Sequence, residues 1–267
     1  MTAWHRSRLL ALDTETTGVD VEKDRILTAA AIDLAPATRH KHLRHWVINP
    51  GVEVPQEAAE IHGYTTARIR AEGRTDVAEA VGEIADAVVD AAQAGAPIIA
   101  YNAPFDLSLI DRETRRHGLV PLADRLAATP LVVIDPYVID KATDTYRRGS
   151  RSLTTVSEHY GVPVGADAHG CVADALAAAR VAWVIMQRAC LGVDRLTELG
   201  GYQSDVAARI AALASMSPPD LHRFQVQAKR EQAESFIAYR KRRGEPTDGI
   251  SSLWPIIPPP ETAAAAA

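Results

Sequence analysis

The fold of this chain is decided by a short stretch near its beginning, RLLALDTETTG at residues 8–18. Residues 8–12 form a short apolar run that is typical of a buried β-strand, and the polar residues and glycine after it indicate that the strand runs out into a turn. Because side chains alternate between the two faces of a strand, Asp13 and Glu15 point in the same direction. The stretch therefore predicts a strand that carries a pair of carboxylates at its end.

The carboxylate pair has two interpretations. Two adjacent acids repel each other and stay ionised together only where a cation lies between them, and carboxylate oxygens favour hard ions such as Mg²⁺ or Mn²⁺ over zinc. Alternatively, Asp13 and Glu15 are an acidic strand end in solvent, which is the commoner situation for an isolated pair. The choice between them depends on the rest of the chain.

Strands and helices alternate along the first 190 residues. Residues 26–34 and 43–48 have the composition of strands, and the short polar linker between them indicates an antiparallel hairpin. An amphipathic helix is predicted at 77–94, where apolar residues recur every three or four positions. The remaining predicted elements are strands at 97–101 and 131–134 and helices at 105–117, 152–160 and 170–188. This order predicts an α/β fold in which a mixed five-stranded sheet is flanked by helices.

Composition excludes several classes of protein. The chain has 267 residues, 29 Lys and Arg against 34 Asp and Glu, and a net charge of −5, which argues weakly against a protein that coats nucleic acid non-specifically. No apolar stretch reaches the roughly 20 residues of a membrane helix. The cysteines, Cys171 and Cys190, cannot form a disulfide framework. We therefore expect a cytoplasmic protein without a membrane partner, and the 47 alanines indicate a helix-rich core of small side chains.

The strand patterns end near residue 190. Residues 205–214 and 221–243 have helical patterns, and the chain beyond Gly244 is rich in proline and ends in five alanines. The sequence therefore predicts three parts: an α/β domain at 1–190, a C-terminal helical extension at 191–244 and a disordered tail at 245–267.

Two further acids and a histidine are candidates for the same site as Asp13 and Glu15. Asp106 opens the helix that follows the strand at 97–101, where an acid also interacts favourably with the helix dipole. His169 precedes the helix at 170–188, and Asp174 is predicted on the second turn of that helix, close to its apolar stripe. A histidine in such a position can be a plain surface residue, but a half-buried carboxylate without a partner is costly. Asp174 is therefore the more informative of the two.

The order of these motifs resembles a known family. The sequence has LDTETTG at 12–18, NAPFD at 102–106 and HGCVAD at 169–174, which are similar to the three motifs of the DEDDh 3′–5′ exonucleases. This group includes the epsilon subunit of bacterial DNA polymerase III, and the segment IHGYT at 61–65 also resembles a stretch of the family. The resemblance covers about residues 8–188 and implies a ribonuclease H-like fold.

The resemblance implies roles for five side chains. Asp13 would bridge two divalent ions, Mg²⁺ or Mn²⁺, while Glu15 and Asp174 would complete one metal site and Asp106 would hold the second ion. His169 would take the proton from the attacking water. The residues expected to bind the terminal nucleotide of the substrate are Thr14, Thr16, Thr17, His62, Asn102 and Phe105.

Some of these substrate-binding assignments have structural alternatives. Thr16 and Thr17 are equally suited to forming the turn after the strand. Core packing accounts for Phe105 as well as contact with a base does.

The resemblance favours an enzyme over a binding protein. The first hypothesis is a metal-dependent exonuclease that removes nucleotides from the 3′ ends of single-stranded DNA, in proofreading or repair. An exoribonuclease of the ribonuclease T type would use the same chemistry, and the 2′-hydroxyl of the substrate distinguishes the two. A catalytically silent nucleic-acid-binding module is the third hypothesis, although the sequence retains all four acids and the histidine. A DNA polymerase or clamp partner cannot be identified from the sequence.

Overall fold

A five-stranded sheet forms the centre of the protein. The computed structural model describes residue 5 and residues 7–163 and 170–260. The strands are β1 (Leu9–Thr16), β2 (Ile26–Ala35), β3 (His40–Val47), β4 (Ile98–Ile99) and β5 (Val133–Ile134). They lie in the order β3-β2-β1-β4-β5; β2 is antiparallel to both β1 and β3, whereas β4 runs parallel to β1 and β5. The predicted mixed five-stranded sheet is confirmed.

Helices flank this sheet. In the described residues they are α1 (Gln56–His62), α2 (Thr66–Glu72), α3 (Val77–Gln93), α4 (Ala103–Arg116), α5 (Leu122–Leu126), α6 (Pro136–Thr143), α7 (Leu153–Tyr160), α8 (Cys171–Ala189), α9 (Gly192–Gly200), α10 (Ser204–Ala212) and α11 (Pro218–Arg242). The sequence patterns predict α3, α4, α7, α8, α10 and α11, with ends that differ by a few residues. They do not predict α1, α2, α5, α6 and α9, which have between five and nine residues. α1, α2 and α5 are too short to contain a repeating apolar pattern.

The bounds of the strands differ from the prediction where β1 meets β4. β1 continues to Thr16, beyond the apolar run, because residues 13–16 pair with β2. β4 and β5 are two residues long, and β4 pairs only with Leu10 and Ala11 of β1. The end of β1 therefore extends past the end of β4, which leaves room at that edge for the beginning of α4.

The two faces of β1 pack against different helices. Leu10 and Leu12 lie in the core formed with α3 and α4, whereas Ala11 packs against Cys171, Ala175 and other residues of α8. Small side chains on both surfaces allow α8 to lie close to the sheet, which confirms the predicted core of small side chains. In the part of the chain that the structure describes, no single helix is long and apolar enough to cross a membrane. The pair formed by α8 and Gly192–Glu198 of α9 meets that criterion by length and composition, and it is bent by 109°.

The helical extension packs onto the α/β core. Leu196, Val206 and Leu213 lie in one apolar cluster with residues of α7 and α8. α11 lies beside β5 through Gln225, a fully buried side chain. The Gln225 amide donates to the carbonyls of Val133 (3.0 Å) and Leu221 (2.9 Å), and its oxygen accepts from the backbone N–H of Asp135 at 2.6 Å. α11 thus supplies hydrogen-bond partners for backbone groups at the β5 edge of the sheet.

Replacing Gln225 by alanine is expected to lower the free energy of unfolding by about 2–4 kcal/mol, because it leaves buried backbone groups of β5 without hydrogen bonds and opens a cavity. Urea denaturation would measure this loss. Gln227→Ala is the matched control, since Gln227 is exposed on the same helix and its loss should cost no more than about 0.5 kcal/mol. Similar stabilities of the two variants would contradict this role of Gln225.

The prediction of a disordered tail from residue 245 is wrong for the part of it that the structure describes. Trp254 is only 8% exposed, belongs to the core with α3 and α4, and its ring centroid lies 4.9 Å from that of His222 on α11. The backbone N–H of Ile257 donates to the Ser108 hydroxyl at 2.8 Å. Although the segment is rich in proline, Trp254 is buried against the domain and Ile256 packs against the same core. Residues 261–267 lie outside the described residues.

Candidate metal centre

Three carboxylates meet at the end of β1. One oxygen of each of Asp13, Glu15 and Asp174 lies within 4.8 Å of the others. Asp13 and Glu15 share the face of β1 that Ala11 presents to α8, because strand side chains alternate. Asp174 lies in the first turn of α8, not the second as predicted, since this helix begins at Cys171. All three side chains are half-buried.

Asp106 lies next to this group and is held by the residue between the paired acids. Thr14 points to the opposite face of β1 from Asp13 and Glu15, and its buried hydroxyl donates to the Asp106 carboxylate at 2.7 Å. This contact forms because β1 extends past β4, so that α4 begins beside it. The Thr14 hydroxyl therefore holds the carboxylate of Asp106, and contact between Thr14 and substrate stays a prediction.

A second buried acid shapes the turn that precedes Asp106. Asn102 has a left-handed backbone (φ 61°), and the backbone N–H groups of Asn102 and Ala103 each donate to Asp135 at 3.0 Å. Burial raises the pKa of Asp135 to about 6, against the effect of these backbone hydrogen bonds. Asp135 is not among the predicted site residues, although an acid directly after a buried strand is the signal that also marks Asp13.

The electrostatics of the site favour a bound cation. Burial, followed by repulsion from Asp106, Glu15 and Asp174, raises the pKa of Asp13 well above its usual range. Burial and then Asp174 and Asp106 raise the pKa of Glu15 to about 8, and burial raises that of Asp106 to about 7. Oxygen ligands that repel one another at this distance fit a hard divalent ion, whose charge would offset the repulsion. The residues present therefore fit the metal ions that the sequence implies.

In the presence of a chelator, the stability that Glu15 and Asp106 contribute is expected to fall as pH rises from about 6 to about 8, whereas histidines whose pKa is lowered by burial, such as His62, contribute in the opposite sense. The folded state holds protons on Glu15 and Asp106 more tightly than the unfolded state does, so the stability that these protons contribute is lost as pH rises through the raised pKa values. A loss of at least about 1 kcal/mol would lower Tm by about 2–4 °C for a domain of this size.

Calorimetry at both pH values, with EDTA and with Mn²⁺, measures this effect. Because the ion offsets the repulsion and the histidines are the same in both solutions, Tm should fall further, or rise less, with pH in EDTA than in Mn²⁺. The same dependence of Tm on pH in both solutions would contradict the electrostatic description of the site.

Two of the predicted substrate ligands form the turn after β1. The Thr16 hydroxyl donates to the carbonyl of Gly18 at 2.6 Å, and the Thr17 hydroxyl donates to Asp24 at 2.7 Å. Both side chains are buried. This geometry agrees with the alternative interpretation, in which Thr16 and Thr17 serve to form the turn.

His62 is a buried residue at the end of α1 that contacts the end of β1. Its Nδ1 accepts from the backbone N–H of Tyr64 at 3.1 Å, and Nε2 lies 3.2 Å from the carbonyl of Thr16. These contacts suit the neutral ring with the proton on Nε2, and burial lowers the pKa of His62. Both ring nitrogens are therefore engaged within the protein, so any contact between His62 and a nucleotide would use the face or edge of the ring.

The other predicted site residues lie at the beginning of α4 or outside the described residues. The Asn102 side chain is exposed, and Phe105 is partly buried against the main core. Both flank Asp106, so they remain predicted substrate ligands. His169 lies outside the described residues, and its role as general base remains a prediction.

Comparison with known proteins agrees with this arrangement. The model of the RNase T family, described as Exonuclease, matches residues 10–182. The epsilon subunit of DNA polymerase III from Rickettsia prowazekii is 33% identical over 110 residues, which is 40% of this chain and 44% of that protein. The epsilon subunit from Pasteurella multocida is 26% identical over 175 residues, 63% of this chain and 64% of that protein. The chain thus spans less than two thirds of the length of these curated relatives.

Solved structures of exonuclease I share the fold. One of them superposes with a TM-score of 0.55 at 19% identity, covering 72% of this chain and 46% of the other. The Escherichia coli enzyme in complex with a dT13 oligonucleotide gives a TM-score of 0.54, also at 19% identity, over 73% of this chain and 41% of the other. At this identity the similarity concerns the fold alone, and it agrees with the ribonuclease H-like fold implied by the motifs.

Proposed function

The chain belongs to the RNase T family of exonucleases, and from this premise we propose that it removes nucleotides one at a time from the 3′ ends of single-stranded DNA. The reaction is hydrolysis of the terminal phosphodiester bond, with release of nucleoside 5′-monophosphates. The convergence of Asp13, Glu15 and Asp174 within 4.8 Å, beside Asp106, is the observation that carries the proposal.

Each acid has a part in holding the metal ions. Asp13 would contact both ions, Glu15 and Asp174 would complete one site, and Asp106 would hold the second. Two such ions, when bound, supply Lewis-acid activation of the water and neutralise charge on the scissile phosphate and the leaving oxygen. Thr14 keeps the Asp106 carboxylate in place through its 2.7 Å hydrogen bond.

The remaining residues move a proton and hold the end of the strand. His169 accepts the proton of the attacking water, a task that suits an imidazole with a reference pKa of about 6.5. Asn102 and Phe105 flank Asp106 and contact the terminal nucleotide. The hydroxyls of Thr16 and Thr17 hold the turn that directly follows Asp13 and Glu15 in the chain.

Proofreading or repair is the setting that the relatives named as polymerase subunits support. A mismatched 3′ terminus frays and exposes a single strand, so it should be removed faster than a matched terminus on the same template. Equal rates on the two primers would count against proofreading and would leave the hydrolytic activity itself unaffected.

Digestion of labelled oligonucleotides tests the activity. DNA and RNA of one sequence, labelled at either terminus, would be incubated with Mg²⁺, Mn²⁺ or EDTA. We expect immediate release of the 3′ label as a mononucleotide, gradual shortening of the 5′-labelled strand and no reaction in EDTA. RNA that is degraded as fast as DNA, or faster, would favour the exoribonuclease hypothesis. No hydrolysis with either ion would favour the catalytically silent module.

A further inference from the structure

A groove between α6 and α11 combines exposed aromatic rings with basic side chains. It has a volume of about 800 Å³, and we call it the α6–α11 groove. The lining residues used below are Lys141, Arg209, Glu231, Phe236, Tyr239 and Arg242. α6 lies within residues 10–182 and α11 lies outside them, so the α11 side of this groove is beyond the matched exonuclease region.

The aromatic residues of α11 remain at the surface. The first half of the helix packs onto the core through Leu221, Gln225 and Ala228, but Phe236 and Tyr239 are 45% and 46% exposed. Their rings are nearly parallel, with an interplanar angle of 11° and centroids 6.5 Å apart. The guanidinium groups of Arg240 and Arg243 lie over these rings, 5.6 Å and 5.5 Å from their centroids. Exposed aromatic rings beside cations form a surface on which flat ligands can stack.

The charge of the groove is positive, in contrast to that of the whole chain. Lys141, Arg209 and Arg242 line it together with one acid, Glu231, and a smaller cavity that shares Lys141 and Phe236 adds Lys229. Arg209 is also paired with Asp205, which is exposed on α10. Cations alternating with aromatic rings complement a phosphate backbone whose bases are unpaired.

Aromatic contacts connect the groove to the acidic site. Tyr101 directly precedes Asn102, and its ring lies 5.8 Å from that of Tyr137. The amino group of Lys141 lies over the ring of Tyr137, 5.6 Å from its centroid. The beginning of α4 is therefore linked to the groove by partly buried aromatic rings and the Lys141 side chain.

The basic loop before α7 is less suited to this task. Arg147 and Arg151 both form ion pairs with the buried carboxylate of Asp140, and the carbonyl of Arg151 accepts from the Tyr101 hydroxyl at 2.6 Å. These guanidinium groups stabilise the connection between α6 and α7. The α6–α11 groove offers cations that are closer to solvent, such as the exposed Arg242.

We propose that the α6–α11 groove binds the single-stranded part of the substrate behind its 3′ end, with bases stacked on Phe236 and Tyr239 and phosphates beside Lys141 and Arg242. This inference rests on the proposed function, because the groove would hold the strand while its end lies at the acids. It predicts that affinity increases with the length of the strand.

Binding to oligonucleotides of two lengths tests the groove separately from hydrolysis. Fluorescence anisotropy in the Asp174→Asn background would compare the double variant Phe236→Ala/Tyr239→Ala with its parent, using oligothymidylates of about 4 and about 20 nucleotides. We expect Kd for the long strand to increase by about 10-fold or more, and Kd for the short strand to be the same in both proteins. Trp183→Ala is the matched control, because Trp183 is an aromatic residue of similar exposure (43%) on α8.

The basic residues of the groove are tested separately, through the salt dependence of Kd. Lys141→Ala/Arg242→Ala should reduce the slope of log Kd against log salt for the long strand by about 0.7 for each phosphate that the variant no longer neutralises. If the long strand binds equally to the parent and the aromatic variant, or if the parent binds both lengths equally, the proposal is overturned and a protein ligand becomes the better occupant. Absence of hydrolysis by the unmodified chain would instead count against the proposed function.

Discussion

Asparagine in place of Asp174 is expected to reduce the rate of phosphodiester hydrolysis by at least about a thousandfold, which corresponds to about 4 kcal/mol of transition-state stabilisation. The substitution removes one negative charge from a group whose carboxylate oxygens lie within 4.8 Å of one another. The amide keeps the size of the side chain but is a much weaker ligand for Mg²⁺ or Mn²⁺. The reduction should therefore appear in the rate with either ion.

The same variant provides its own test of folding. Asp174 is one of the charges that raise the pKa of Glu15, so its neutralisation should leave the metal-free protein at least as stable as the parent at about pH 8. Thermal denaturation in EDTA would measure this. An inactive variant with an unchanged or higher Tm would separate loss of the metal site from loss of the fold.

Asp194→Asn is the matched control, because Asp194 is also an aspartate in the first turn of a helix but is exposed on α9. Its activity should equal that of the parent. If Asp174→Asn digests DNA as fast as the parent, the assignment of the acidic group as a metal centre is wrong.

Replacing His169 by alanine is expected to slow hydrolysis by about 10²–10⁴-fold, the usual effect of losing a general base. The parent should become faster as pH rises through the range in which an imidazole loses its proton, since only the neutral ring accepts a proton from water. The variant should lose this dependence. Initial rates between about pH 6 and 9 with saturating Mn²⁺ would measure both effects.

His42→Ala controls for the general effect of removing a histidine, because His42 is exposed on β3 at the edge of the sheet. It should retain both the rate and the pH profile of the parent. A His169→Ala enzyme with the rate and pH profile of the parent would remove the proposed base from the reaction, while the metal sites would remain to be judged by Asp174→Asn.

The elements that the sequence predicted well are those with a long local pattern. In α3 the apolar positions recur over 17 residues, and the helix was predicted within one residue of its ends. α1 and α2 are seven residues each and give no such pattern, yet α1 carries His62, which braces the end of β1. The burial of Trp254 could not be predicted either, because the composition of a segment does not show the surface against which the segment packs.

The residues that hold the acids of the candidate site in place were harder to predict than the acids themselves. Thr14 was identified as a residue near the acids, but its bond to Asp106 joins positions 92 residues apart. Asp135 holds the turn before Asp106 from a strand that lies next to β4 in space and follows α4 and α5 in the chain. Such contacts depend on which elements become neighbours, and a pattern within one element does not contain that information.

Local sequence is enough to place Asp13 and Glu15 on one face, because the pleat of a strand sets the directions of side chains two residues apart. It is also enough to place Asp106 at the beginning of a helix, since a proline and an acid in the first turn favour that start. The positions of Asp174 beside Asp13 and Glu15, and of the Thr14 hydroxyl beside Asp106, follow from tertiary packing. These distances depend on the close packing of α8 on an alanine-rich sheet and on the early end of β4, which arise from contacts between elements far apart in the chain.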